Sequence, residues 1–160
     1  MPTDQRPNAT ADAYLSTKVL TASPEELRLL LIEGAIKFLR QGRDGLASGN
    51  FEASHHGFSK CRAILLELVS SMRTEIDPDL CSRLRGLYMF MYRELLEASI
   101  QKDVPRTDKV IELLEYDRES WVMLMDQLAR DKAAATSVRA LAGSPADNAQ
   151  AAYSPISISG

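Results

Sequence analysis

The chain has 160 residues, of which 45% are hydrophobic and 26% charged, a composition typical of a globular protein with a single domain. Its net charge of −3 and isoelectric point near 5.4 argue against nucleic acid as a partner. The sequence has no run of about 18 apolar residues, and its N-terminus lacks the apolar core of a signal peptide. We therefore expect a cytoplasmic protein with no membrane partner.

The first predicted helix begins with a complete start signal. Residues 1–22 precede it, are largely polar, include two prolines, and are expected to form a partly flexible N-terminal segment. Ser23 can act as the N-cap, Pro24 suits the first helical position, and Glu26 can complete a capping box. We assign these three residues a structural role and predict a helix over residues 24–48.

This first helix is apolar on more of its circumference than one packing face requires. At 100° per residue its polar residues occupy an arc only about 100° wide. Such a helix is either central in a bundle or shares its surface with a partner, and the sequence leaves both possibilities open. In the second case Leu29, Ile32 and Ile36 are candidate partner-binding residues. Gly42 and Gly45 are expected to weaken its last turns by about 1 kcal/mol each relative to Ala.

Three more helices are predicted, over residues 51–73, 78–101 and 106–132. Asn50 and Asp77 are suitable N-caps for the first two of them. Short connections between helices of similar length predict an all-α fold, an antiparallel up-and-down four-helix bundle over residues 23–132. The remaining residues, 133–160, are rich in Ala and Ser and are expected to form a disordered tail.

The third predicted helix carries apolar residues beyond those that a bundle core needs. Met89, Leu96 and Ile100 lie within about 40° of one another, away from the core-facing stripe. Their spacing of seven and then four residues is typical of a seam for another helix. Neighbouring helices or the chain's own ends would explain the same pattern, so the spacing favours binding of a helix without identifying it.

No arrangement of residues indicates catalysis. Glu52 and His55 form a Glu-x-x-His motif, half of the ligand set of a di-iron carboxylate bundle, but the chain has no second copy. A Gly-rich phosphate loop, a Gly-x-Ser-x-Gly elbow and a Cys-x-x-Cys pair are also missing from the sequence. We therefore predict a protein that is not an enzyme and has no cofactor or metal site, with Cys61 and Cys81 reduced and buried.

Three segments together resemble a known family. The first is AYLSTKVLTASPEELRLLLIEGAIKFL, which places Tyr14 before a Thr-Ala-Ser-Pro-Glu-Glu-Leu helix start and a Gly-Ala pair. The second is LYMFMYRELLEASIQKD in the third predicted helix, and the third is LLEYDRESW in the fourth. In this order and spacing they resemble the FliS-type flagellar export chaperones, over most of the chain from Tyr14 to Leu128.

The resemblance implies a cytosolic antiparallel bundle that binds the C-terminal region of flagellin. Such a chaperone prevents premature polymerisation of flagellin and keeps it competent for export, and the flagellar export apparatus is a further candidate partner. By analogy Tyr14 belongs to a removable cover over the partner-binding residues, although it could instead staple the end of the bundle. Arg118 and Trp121 are assigned to structure, as an indole in the bundle core with a guanidinium nearby.

A second hypothesis, from a different class of function, is a non-catalytic helical adaptor. In this case the spare apolar stripe would pair two copies of the chain into a homodimer. The two hypotheses differ in whether a flagellin peptide or a second copy covers the stripe.

Overall fold

The computed structural model describes residues 6–75 and 77–143. Within these ranges the chain is all-α, with five helices and no strand, which confirms the all-α part of the predicted fold. The helices are α1 (Arg6–Thr21), α2 (Pro24–Ser48), α3 (Phe51–Ser70), α4 (Pro78–Gln101) and α5 (Val104–Leu141). The bounds of α2 and α4 match the prediction, α3 is three residues shorter, and α5 is longer at both ends.

Helix α1 was not predicted, and with it the described residues contain one helix more than a four-helix bundle. Pro7 is the second residue of α1. A proline is tolerated there because an amide in the first helical turn has no acceptor within the helix. The side chains from Thr10 to Thr21 are all exposed. From Thr10 to Thr21, α1 therefore has no buried residue.

The helix starts follow the local signals in the sequence. At α2 the Ser23 amide donates to Glu26 Oε2 at 2.9 Å, and the Glu26 amide donates to Ser23 Oγ at 3.2 Å, which confirms the capping box. The side chain of Asn50 accepts from the amide of Ala53 at the start of α3. The side chain of Asp77 similarly accepts from the amide at the third position of α4.

The described residues divide into two compact units, the first ending at Val122 and the second beginning at Met123. The first unit contains the hydrophobic core, to which α2, α3, α4 and the first turns of α5 contribute. Its fully buried side chains include Ile32, Leu39, Phe58, Cys61, Leu65, Leu68, Tyr88, Met91, Leu95, Val110 and Leu114. No helix among the described residues is both long and apolar enough to cross a membrane.

Helices α2 and α3 approach each other closely where glycines meet. A Cβ atom placed on Gly57 would lie 2.4 Å from the backbone nitrogen of Gly42. A Cβ atom placed on Gly45 would lie 2.7 Å from the backbone nitrogen of Ser54. Glycines that weaken a helix in isolation are therefore the residues that allow these two helices to pack.

Ion pairs join α2 to α5 along the outside of the first unit. They are Arg40 with Glu115, Arg43 with Asp108 at 2.9 Å, and Arg118 with Glu33 at 3.4 Å. Higher residue numbers on α2 pair with lower numbers on α5, so these two helices run antiparallel. Helices α4 and α5 are joined by Arg106 and Glu94 at 3.1 Å.

Candidate partner-binding surface

The outer side of α4 carries an apolar row, which we call the α4 stripe: Met89, Leu96 and Ile100. The opposite side of α4 lies in the core through Met91 and Ala98, both fully buried. Met89 is half-buried, whereas Leu96 is 36% and Ile100 76% exposed. Since these residues are seven and four positions apart, they share one side of the helix. The α4 stripe thus lies on the outer side of α4, as the sequence predicted.

Two of the other predicted partner-binding residues do not lie on a surface. Ile32 is fully buried and Ile36 is 5% exposed, and both are part of the core. Leu29 is half-buried. The sequence had correctly suggested two apolar sides on α2, but Ile32 and Ile36 belong to the inward side. Partner binding through these two residues would require the core itself to open, so we correct their assignment to structural residues.

Tyr14 lies on α1 and is 68% exposed. Leu15, Val19 and Leu20 on the same helix are also exposed. With this exposure Tyr14 is not packed as a staple at the end of the core, and its role as a removable cover stays a prediction.

A second apolar groove, between α4 and α5, was missed by the sequence analysis. Phe90, Val110, Leu113 and Tyr116 line a cavity of about 520 Å³, with charged residues at its edges. Phe90 is 46% and Tyr116 72% exposed. The sequence signal was an aromatic residue off the core-facing row in each of two helices, but only the packing of α4 on α5 brings the two together.

The structural role assigned to Trp121 takes a different form from the one expected. Trp121 is half-buried, and its indole Nε1 donates to the Glu25 carbonyl oxygen at 3.0 Å, which ties α5 to the first turn of α2. The nearby guanidinium belongs to Arg28, 5.2 Å from the ring centroid. Arg118 is largely exposed and pairs with Glu33 instead.

Arg28, Tyr88 and Asp117 form a polar network beside this indole. Arg28 Nη2 donates to the Tyr88 hydroxyl at 2.7 Å, and that hydroxyl donates to Asp117 Oδ2 at 2.7 Å. Burial is the main cause that raises the pKa of Asp117, and it raises the pKa of Tyr88 as well. The network connects α2, α4 and α5, so its groups are partnered within the fold and we assign it to structure.

The Glu-x-x-His motif lies on the surface of α3. Glu52 and His55 are both exposed, and they line an open cavity of about 580 Å³ together with Asn50 and Lys60. The part of the chain that the structure describes contains no group of three or more His, Cys, Asp or Glu residues arranged to hold a metal ion. Cys61 and Cys81 are both buried free thiols, and burial raises the pKa of the Cys61 thiol to about 12.

The fold and this surface define an all-α protein in which one helix of the core-forming unit presents an apolar row to solvent. Residues 6–128 match the sequence model of a protein family described as flagellar protein FliS. The chain belongs to the FliS family.

Curated relatives share this assignment. The chain is 28% identical over 120 residues to the flagellar secretion chaperone FliS of Bacillus subtilis (strain 168), covering 75% of this chain and 89% of the relative. It is 30% identical over 114 residues to the protein of the same name from Salmonella typhimurium (strain LT2), covering 71% of this chain and 84% of the relative. For the Vibrio cholerae protein of that name the identity is 28% over 107 residues, covering 67% and 79%.

Proposed function

We propose that this protein is a cytoplasmic flagellar export chaperone that binds the C-terminal region of flagellin. In this role it prevents premature polymerisation of flagellin and keeps it competent for export. The family match over residues 6–128 and the shared name of the relatives, flagellar secretion chaperone, support this function. We further propose that α2 to α5 act as an antiparallel four-helix bundle, the chaperone body, over residues 23–132.

The observation that carries the proposal is the position of the α4 stripe. Its residues are on the outer side of a helix whose inner side is locked into the core. Covering Ile100 alone, which is 76% exposed, would remove most of its side chain from water. Full burial of such a side chain stabilises by about 1.5–3 kcal/mol. The stripe is therefore suited to an amphipathic helix of the client, by which we mean the flagellin segment being bound.

Moderate affinity fits a chaperone that must release its client. A flagellin segment that becomes helical only on binding loses conformational entropy, at a cost of about 2–5 kcal/mol or more. That cost offsets part of the apolar contact, so a long interface does not have to produce permanent binding. Helix α1 and Tyr14, which are exposed, are a second candidate contact for the client in this proposal.

The test is a titration of the full chain with a peptide of the flagellin C-terminal region. We expect a one-to-one complex by sedimentation and a gain of helix by circular dichroism. A tight homodimer that does not bind the peptide would instead support the adaptor hypothesis and contradict the proposed chaperone function. Binding to soluble export-apparatus domains can be measured in the same format.

Single substitutions locate the surface. Ile100→Asp should weaken the flagellin peptide about tenfold or more while leaving the melting temperature within about 2 °C, because the side chain is exposed in the free protein. Leu141→Asp, a change at an 87% exposed position outside the matched residues 6–128, is the control and should bind normally. Leu87→Asp should destabilise the fold itself, since Leu87 packs against the core. Equal binding by the Ile100 and Leu141 variants would contradict the assignment.

A further inference from the structure

We propose that the α4 stripe selects an amphipathic helix with acidic residues beside its apolar positions, and that Arg85 and Arg93 make this selection. The inference rests on the proposed function, because it specifies the chemistry of the client segment that the stripe binds. It adds a charge requirement that an apolar stripe alone does not contain.

The two arginines border the stripe on opposite sides. Arg85 is four residues before Met89 and Arg93 four residues after it. At 100° per residue they lie about 40° to either side of Met89, an angular range that also includes Leu96 and Ile100, which follow Arg93 along the helix. Both arginines are exposed. A helix lying along the stripe would therefore pass between two guanidinium groups.

These arginines have no partner among the described residues. The side chain of neither Arg85 nor Arg93 forms an ion pair or hydrogen bond within residues 6–75 and 77–143. Arg40, Arg43 and Arg118 on the α2–α5 side each pair with a carboxylate.

The two acidic residues of α4 nearest Arg93 in the sequence do not pair with it, although the exposed Glu97 keeps its negative charge. Glu94 pairs with Arg106 of α5, and Glu97 accepts a hydrogen bond from Gln101 at 3.2 Å. The positive charge beside the stripe therefore remains available to a partner.

Charge also decides between a client helix and a second copy. A two-fold contact places the same surface of both copies face to face. In such a contact with the two α4 helices parallel, Arg85 and Arg93 of one copy would face the same residues of the other. Like charges placed against each other across an interface oppose association. An acidic helix has the complementary charge, so we assign the stripe to it.

The expected size of the effect follows from the exposure of the arginines. An exposed ion pair changes an equilibrium by up to about fivefold. Two such contacts, one on each side of the stripe, should together change affinity about tenfold. Because exposed charges are screened, the effect should decrease as the salt concentration rises.

The experiment uses two synthetic helical peptides that share leucines seven and four residues apart. One peptide has Glu at the flanking positions and the other has Lys. They are titrated into the full chain, into the double variant Arg85→Gln, Arg93→Gln, and into a matched control, Arg40→Gln, Arg118→Gln. The control removes two positive charges from the α2–α5 side, where each arginine already has an acidic partner.

We expect the unmodified chain to bind the Glu peptide about tenfold more tightly than the Lys peptide, a preference that rising salt reduces. The Arg85, Arg93 variant should lose the preference and the control should keep it. Equal affinity for both peptides, or the same loss in both variants, would overturn the inference. Two other results would also overturn it: a homodimer of the unmodified chain that Leu96→Ser dissociates, and tighter binding of the chain to anionic lipid vesicles than to either peptide.

A parallel titration with the flagellin C-terminal peptide separates the two proposals. Flagellin binding that is the same in the unmodified chain and in the Arg85, Arg93 variant refutes the charge requirement and leaves the proposed function standing. If the unmodified chain does not bind the flagellin peptide but prefers the Glu peptide, the proposed function is wrong and the surface chemistry is supported.

Discussion

Replacing Gly57 with Ala tests how α2 and α3 are held together. The added Cβ atom would lie 2.4 Å from the nitrogen of Gly42, 2.5 Å from its Cα atom, and 2.5 Å from the carbonyl oxygen of Phe38. All three are backbone atoms of α2, so rotation of a side chain cannot relieve the overlap. The two helices must instead move apart.

The size of this movement sets the loss of stability. Ordinary contact begins near 3.4 Å, so the gap at Gly57 must widen by about 1 Å. Separations of this size forfeit a quarter to a half of the attraction between the packed atoms concerned, and overpacking a core typically costs about 1–3 kcal/mol. Ala is a better helix former than Gly by about 1 kcal/mol, which offsets part of that loss. We expect a net destabilisation of about 1 kcal/mol, or about 2–4 °C in melting temperature.

Urea unfolding and thermal melting monitored by circular dichroism measure this change. Gly86→Ala is the control, because Gly86 is exposed on α4 and a Cβ atom there meets nothing within 4 Å. We expect that variant to gain up to about 1 kcal/mol from helix propensity alone. A Gly57→Ala protein as stable as the Gly86→Ala protein would refute the close-packing explanation.

Three further substitutions test the other contacts. Ser23→Ala should reduce the free energy of unfolding by about 1 kcal/mol because it removes the capping box. The exposed Ser82→Ala serves as a control, and equal urea midpoints for the two variants would contradict this prediction. Tyr88→Phe should lower the free energy of unfolding by about 1–3 kcal/mol, because Arg28 loses an acceptor and Asp117 a donor. Tyr116→Phe, the control, should change it little. Equal losses in the two variants would show that the network does not stabilise the fold. Because burial raises the pKa of Asp117 from 3.8, the folded state binds this proton more readily than the unfolded state, and the carboxylate is disfavoured at neutral pH. The stability of Asp117→Asn relative to the unmodified chain should therefore be greatest near pH 7 and fall as the pH is lowered, and the opposite trend in urea midpoints would refute the assignment.

Features that depend on neighbours in sequence could be predicted from the chain alone. The start of α2 follows from Ser23, Pro24 and Glu26, whose hydrogen bonds span three residues. The start of α4 likewise follows from Asp77 and its following proline. The outward position of the α4 stripe could be predicted because the core-facing row on the same helix is longer and more continuous.

Features that depend on distant residues could not be predicted in this way. In the sequence, Arg28 is a charged residue that interrupts the apolar surface of α2. In the structure it contacts Tyr88, 60 residues away, and Trp121. Helical periodicity shows that α2 has two apolar sides, but not which of them meets α3. Ile32 lies on the side that faces the core, which the sequence pattern alone does not identify. The groove at Phe90 and Tyr116 similarly requires the packing of α4 on α5, which no local pattern encodes.

The distribution of ion pairs indicates how binding can be reversible. On the α2–α5 side each of the three arginines has an acidic partner, so a client would have to replace existing contacts there with little gain. On the outer side of α4 the guanidinium groups of Arg85 and Arg93 are solvated in the free protein and gain a partner only when an acidic helix binds. Each such contact remains at the rim of the interface, where water and salt weaken it, so together they favour one client chemistry without making release slow. Arg93→Gln should accordingly shorten the lifetime of the complex with the Glu peptide, because one ion pair at the rim is lost, and leave the lifetime with the Lys peptide unshortened. An unchanged lifetime with the Glu peptide in stopped-flow dissociation would show that Arg93 does not contribute to the choice of client.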